Sequence, residues 1–111
     1  TVSHMPPELF SSVSEECKLT QKADVYALGI ILYQVLTAQT PWKDSSSAQI
    51  VVRVSRGHQL SLPEEVPKRV KDIYQSCIAF NPAERTTFRS LVQDFEVELQ
   101  ASRIVVPETN V

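Results

Sequence analysis

Ala23-Asp24-Val25-Tyr26-Ala27-Leu28-Gly29-Ile30-Ile31-Leu32-Tyr33 is the stretch on which the fold turns. Between Lys22 and Thr37 there is no helix breaker except Gly29, so the segment predicts a helix that Pro41 brings to an end. Its interior is apolar on every face, and a helix with no wet side has to be covered all round. The rest of the chain therefore has to supply its cover, or something outside the chain does.

Toward the N-terminus, Pro6 and Pro7 suit a first helical turn, where a missing N–H costs nothing, and Glu8 complements the helix dipole. A short helix over Pro6 to Ser11 follows, then a polar loop over Ser12 to Thr20. Beyond the greasy helix, Trp42 is an anchor for the core, and Ser45-Ser46-Ser47 offers capping hydroxyls ahead of Ile50, Val51, Val52 and Val54. That β-branched run suits a strand by propensity. Gly57, placed like a glycine just past a helix end, tips the reading to helix.

Val66, Val70, Ile73, Tyr74, Cys77 and Ile78 recur at offsets of 4, 7, 8, 11 and 12, one helical stripe, which predicts a helix from Pro67 to Phe80. After the Asn81-Pro82 turn, Phe88, Leu91, Val92, Phe95 and Leu99 recur at offsets of 3, 4, 7 and 11. These predict a last amphipathic helix with Asp94, Glu96 and Glu98 on its wetter side. Periodicity stops at Ser102, so the expectation is one all-α unit over 1–101, about five helices and no sheet, and a flexible tail over 102–111.

Composition removes several functions. The chain has 111 residues, 42% hydrophobic and 22% charged, the mixture of an ordinary globular domain. Eleven Lys and Arg are scattered among thirteen Asp and Glu for a net charge of -2, so no basic face is expected and no nucleic-acid partner. Two glycines leave no glycine-rich phosphate cradle. Cys17, Cys77, His4 and His58 show no zinc spacing, so no metal site is expected, and Cys77 reads as a reduced core thiol. The longest apolar run, Val25 to Tyr33, is far short of the roughly 20 residues that span a bilayer.

Taken in order, Met5-Pro6-Pro7-Glu8, Asp24-Val25-Tyr26-Ala27-Leu28-Gly29, Pro41-Trp42 and Asn81-Pro82-Ala83-Glu84-Arg85 resemble successive landmarks of the C-terminal lobe of a eukaryotic protein kinase. The resemblance covers about residues 1 to 101, the end of the activation segment and the helices after it. It implies that Glu8, at the Glu of the family's Ala-Pro-Glu motif, pairs with Arg85, since a planar guanidinium can lock a carboxylate far away in sequence through two bonds. It implies that Asp24 braces the catalytic loop as a structural acceptor and is no general base. Gly29 costs about 1 kcal/mol against alanine inside a helix, a cost best understood if another element presses on it.

By the same resemblance Thr1, Val2 and Ser3 belong to the loop that receives the substrate residue after the phosphoacceptor. Thr1 and His4 favour the serine/threonine type, and Tyr26 the tyrosine-kinase-like group. Three departures, Pro7 for the usual Ala, Thr86 for a frequent Pro and Ile78 for a frequent Trp, weaken the subgroup more than the family.

What is missing limits the chemistry. Kinase catalysis needs a glycine-rich loop and a strand Lys on the phosphates, a catalytic-loop Asp and an Asp-Phe-Gly aspartate on Mg²⁺, and the chain has no Gly-x-Gly, His-Arg-Asp or Asp-Phe-Gly. ATP and Mg²⁺ are thus expected only in a parent chain, where the partners are a protein substrate and the missing N-lobe and catalytic loop, at an address in the cytoplasm or on the cytoplasmic side of a membrane. The competing expectation is a non-catalytic helical interaction module, in which an exposed apolar surface of the Asp24 to Val35 helix docks a partner. Either way, uncovered apolar surface on the central helix predicts a loosely packed, self-associating or chaperone-dependent isolated chain.

Overall fold

A computed structural model of the chain describes residues 2–10 and 20–105, with side chains described up to 101. Thr1, the polar loop 11–19 with Cys17, and residues 106–111 of the expected tail lie outside the described residues. Among those described there are four α-helices and no strand: α1 (Gln21–Thr37), α2 (Ser47–Ser55), α3 (Lys68–Ile78) and α4 (Phe88–Val105). Three 3-10 turns, Val2–His4, Pro7–Phe10 and Pro82–Glu84, complete the order. The short helix expected over Pro6 to Ser11 is one of these turns.

Helix α1 starts at Gln21 and ends four residues before Pro41. Its stop is Ala38, which takes the left-handed conformation (φ 55°) and returns its N–H to Gln34 O at 2.8 Å. The proline is therefore not the terminator; the residue that leaves the helix is an alanine in a conformation that costs an L-residue roughly 1 to 2 kcal/mol. Thr37 Oγ1 shares the load by donating to Tyr33 O at 2.8 Å.

Helix α2 is held at both ends by its own sequence. Ser46 accepts from Gln49 N–H at 3.2 Å while the Gln49 side chain accepts from Ser46 N–H at 2.7 Å, a reciprocal box that satisfies two otherwise orphaned donors. At the other end Gly57 (φ 86°) gives its N–H to Val54 O and His58 gives its N–H to Arg53 O. That double closure needs a left-handed residue after the helix, which is why glycine stands there.

Helix α3 ends at Ile78, two residues short of Phe80, because Ala79 swings to an extended conformation ahead of the Asn81-Pro82 turn. Helix α4 continues to Val105, three residues beyond the point where periodicity fades.

The core is the seam between α1 and α3. Val25, Tyr26, Ile30 and Tyr33 meet Ile73, Tyr74, Cys77 and Ile78, and Leu91 of α4 closes the end. Gly29 explains how close the two helices come: a β-carbon built there would lie 2.7 Å from both Cys77 Cβ and Ile78 Cγ2. Tyr74 buries its ring and sends its hydroxyl to Leu60 O at 2.6 Å, as a buried phenol requires. A second cluster of Trp42, Ile50 and Val54 packs on Val2, Phe10 and Leu60, so the first turn of the chain sits on α2. Arg53 stacks over the Trp42 ring at 4.7 Å.

Among the described residues, apolar faces of α1 and α4 remain open. On α1, Ile31 and Val35 are exposed, the latter at 72%, in line with Leu28 and Asp24. On α4 the expected apolar stripe of Phe88, Val92, Phe95 and Leu99 is exposed, and Leu91 alone of that set is buried. The expected wet side is partly the packed one: Asp94 and Glu98 are half-buried in a cleft of about 320 Å³ facing α3, where Arg69 Nε donates to Glu98 Oε2 at 2.6 Å. The reason is that α3 spends its apolar stripe on α1, so the flank it shows α4 carries Arg69, Asp72 and Ser76.

Candidate functional site

Among the described residues Arg85 is the one charged residue in the buried core, with a side chain that has no exposure to solvent. It reaches that position from the turn Pro82–Glu84, which Asn81 opens by accepting Ala83 N–H at 3.0 Å. Two of its bonds take the carbonyls that α3 leaves without partners, Nε to Ala79 O at 2.7 Å and Nη2 to Phe80 O at 3.2 Å. A third runs from Nη1 to Lys22 O at 3.0 Å on α1.

The remaining donors form the fork expected with Glu8: Nη1 to Oε2 at 2.7 Å and Nη2 to Oε1 at 2.8 Å. All the N–H donors of a guanidinium are thereby used. The Tyr26 ring lies beneath, with Arg85 Cζ 5.0 Å from its centre. Burial pushes the Tyr26 phenol up to about 12, the Arg85 charge pulling it down and Glu8 pushing it up. The phenol therefore stays neutral and leaves the guanidinium to the carboxylate. Glu8 itself hangs from the 3-10 turn Pro7–Phe10, so the pair fastens the N-terminal segment to the junction of α1 and α3.

Val2 and Ser3 form part of the first turn. Ser3 Oγ donates to His4 Nδ1 at 2.9 Å and His4 Nε2 donates to Gln34 Oε1 at 2.8 Å, which ties the turn to α1. Beside them opens a cleft of about 260 Å³ whose floor includes Val2, Pro41, Trp42 and Ile50 and whose rim includes Ser3 and Lys43. Asp24 stands apart from all of this. It is exposed in the first turn of α1, and its carboxylate has no partner among the described residues. Cys77, the buried free thiol of the seam, is pushed up to about 11 by burial, against a pull from the Ser76 hydroxyl and with a push from Asp94. Burial likewise raises the Tyr74 phenol.

The sequence reading missed Lys22, whose Nζ donates to Arg85 O at 2.6 Å and Thr86 O at 3.2 Å, and Gln34, the anchor of His4. A signal for Lys22 existed: a cation in the first turn of a helix opposes the dipole and calls for a partner. No group of potential metal ligands gathers among the described residues, and no helix among them is long and apolar enough to cross a membrane.

A family profile described as protein tyrosine and serine/threonine kinase matches residues 1–95. Among curated proteins, the chain is 32% identical over 89 residues to the tyrosine-protein kinase receptor ver-3 of Caenorhabditis elegans, covering 79% of this chain and 7% of that protein. It is 28% identical over 106 residues to the dual specificity protein kinase Ttk of Danio rerio (90% and 11%) and 31% identical over 98 residues to the mitogen-activated protein kinase kinase kinase dlk-1 of Caenorhabditis briggsae (87% and 11%). The chain thus spans about a tenth or less of the length of these relatives. With the profile running from the first turn through Arg85 and on into α4, the all-helical chain belongs to the protein tyrosine and serine/threonine kinase family.

Proposed function

We propose that this chain is the substrate-side part of a protein kinase catalytic domain, and that its parent transfers the γ-phosphoryl group of ATP to serine or threonine of a protein. The observation that carries the reading is the open face of α1: Asp24, exposed and without a partner among the described residues, in line with the exposed Ile31 and Val35. A carboxylate flanked by uncovered apolar side chains is shaped to receive backbone N–H groups of another segment, here the catalytic loop. Glu8 and Arg85 hold the first turn in place, and Val2 and Ser3 line the cleft that takes the substrate residue after the phosphoacceptor. Thr1 is assigned to the same loop, and with His4 it supports serine/threonine over tyrosine.

The relatives are named as a tyrosine-protein kinase receptor, a dual specificity protein kinase and a mitogen-activated protein kinase kinase kinase, so the acceptor hydroxyl has to be measured. The test joins the chain to the sequence encoded upstream of Thr1 and assays phosphate transfer from ATP to a peptide library. Phosphoserine and phosphothreonine are expected, with Asp24→Asn lowering kcat; phosphotyrosine would move the protein to the other class, and no transfer would end the enzymatic reading. A second reading, a non-catalytic helical interaction module, draws on the open stripe of α4. It predicts a stable chain without upstream sequence that binds a partner through Phe88, Val92, Phe95 and Leu99.

A further inference from the structure

Lys22 grips Arg85 from both directions. Its Nζ donates to the main-chain oxygens of Arg85 and Thr86, at 2.6 and 3.2 Å, while its own carbonyl accepts from Arg85 Nη1 at 3.0 Å. Nothing about the local helix favours a lysine there: its charge opposes the dipole of α1, and fixing a long flexible side chain has an entropic cost. The two carbonyls it meets offset both. Thr86 in turn gives its N–H to Ser76 O at 2.8 Å, so the turn that carries Arg85 is tied to α3 on one side and, through Lys22, to α1 on the other.

We infer that Lys22 is a positioning residue that sets the direction of the Arg85 fork, and through Glu8 the placement of the turns Val2–His4 and Pro7–Phe10. A guanidinium with five directed bonds tolerates little rotation, so its main chain has to be fixed before its side chain can reach Glu8. Arg85 supplies the bond to Glu8, and Lys22 supplies the register in which that bond can form. The step from turn placement to substrate binding rests on the kinase reading; the coupling of Lys22 to Glu8 does not.

Amide hydrogen exchange of the full chain tests the coupling at Met5 and Leu9, whose N–H groups bond Val2 O and Pro6 O at 3.1 Å each. Lys22→Met is expected to speed exchange at these two amides about tenfold, the factor that a lost charge-assisted bond commands, with α3 amides unchanged. Lys22→Arg, which keeps donors within reach of both carbonyls, is expected to restore most of the protection. In a Glu8→Gln background the same Lys22→Met change should add less than about twofold, because the path it acts through is already cut. Unchanged exchange, equal acceleration of every amide, or full additivity with Glu8→Gln would each overturn the inference. Should Lys22→Met not fold, Lys22→Gln provides the same comparison. In an active parent, Lys22→Met should raise the peptide KM more than it lowers kcat. A parent with no transfer defeats the kinase reading alone, whereas an unchanged KM in an active parent defeats the positioning role.

Discussion

Helices α3 and α4 read alike in sequence and behave in opposite ways. Each carries an apolar stripe at helical spacing, yet α3 buries Ile73, Tyr74, Cys77 and Ile78 against α1, while α4 leaves Phe88, Val92, Phe95 and Leu99 open and buries Leu91 alone of its set. The difference lies in the partner. Gly29 lets α3 sit directly on the α1 backbone, and once that seam is closed α3 has a charged flank left for α4. Periodicity thus states that a helix has a face to bury and is silent on whether a partner for that face lies within the same 111 residues.

Four outcomes would break or sharpen this contrast. The largest effect is expected at the turn that joins the two helices: Arg85→Ala removes the two-bond fork to Glu8 and frees the carbonyls of Lys22, Ala79 and Phe80. A loss of about 3 to 5 kcal/mol follows, enough to erase a cooperative urea transition in a small fold. Next, Ile78→Ala on α3 should cost roughly 2 to 5 kcal/mol, whereas Phe95→Ser on α4 should stay within about 0.5 kcal/mol and reduce self-association in sedimentation. Equal losses in the two helices would dissolve the contrast.

Gly29→Ala weighs two opposed effects. The new methyl gains about 1 kcal/mol of helix propensity but meets Cys77 and Ile78 at 2.7 Å, and overpacking of this kind costs about 1 to 3 kcal/mol, so a lower urea midpoint is expected. The smallest effect is alkaline. Cys77 and Tyr26 hold their protons in the folded chain up to about 11 and about 12, against ordinary values of 9.0 and 10.0 in the unfolded one. Their contribution is therefore complete below about pH 9 and is lost as pH rises through the folded values. Urea midpoints measured from pH 8 to 12 should fall across that window, and Cys77→Ala should flatten its lower part.

Much of the architecture was legible because the decisive signals are local. Gly57 marked the end of α2, the run Ser45-Ser46-Ser47 its start, and the stripe of α3 its buried face. What resisted reading depends on contacts between distant segments. Ala38 stops α1 through a backbone conformation that no alanine announces, and Ala79 ends α3 where Arg85 takes over its carbonyls. Glu8 and Arg85 were found only because neighbouring motifs resembled a family; as lone residues they are two charges among many. Lys22 carried a local oddity and no hint of its targets. Thr1 and the loop 11–19 lie outside the described residues, so the expectations placed on them have no structural counterpart.

The thiol beneath Gly29 turns the central seam into a clock. With no open path to solvent at Cys77, an alkylating reagent can reach its sulfur only during moments when α1 and α3 part, so in a Cys17→Ser background the labelling rate counts those partings. Adding upstream sequence that truly covers α1 should slow the clock, and the amount by which it slows would weigh how much of this fold's cohesion is borrowed.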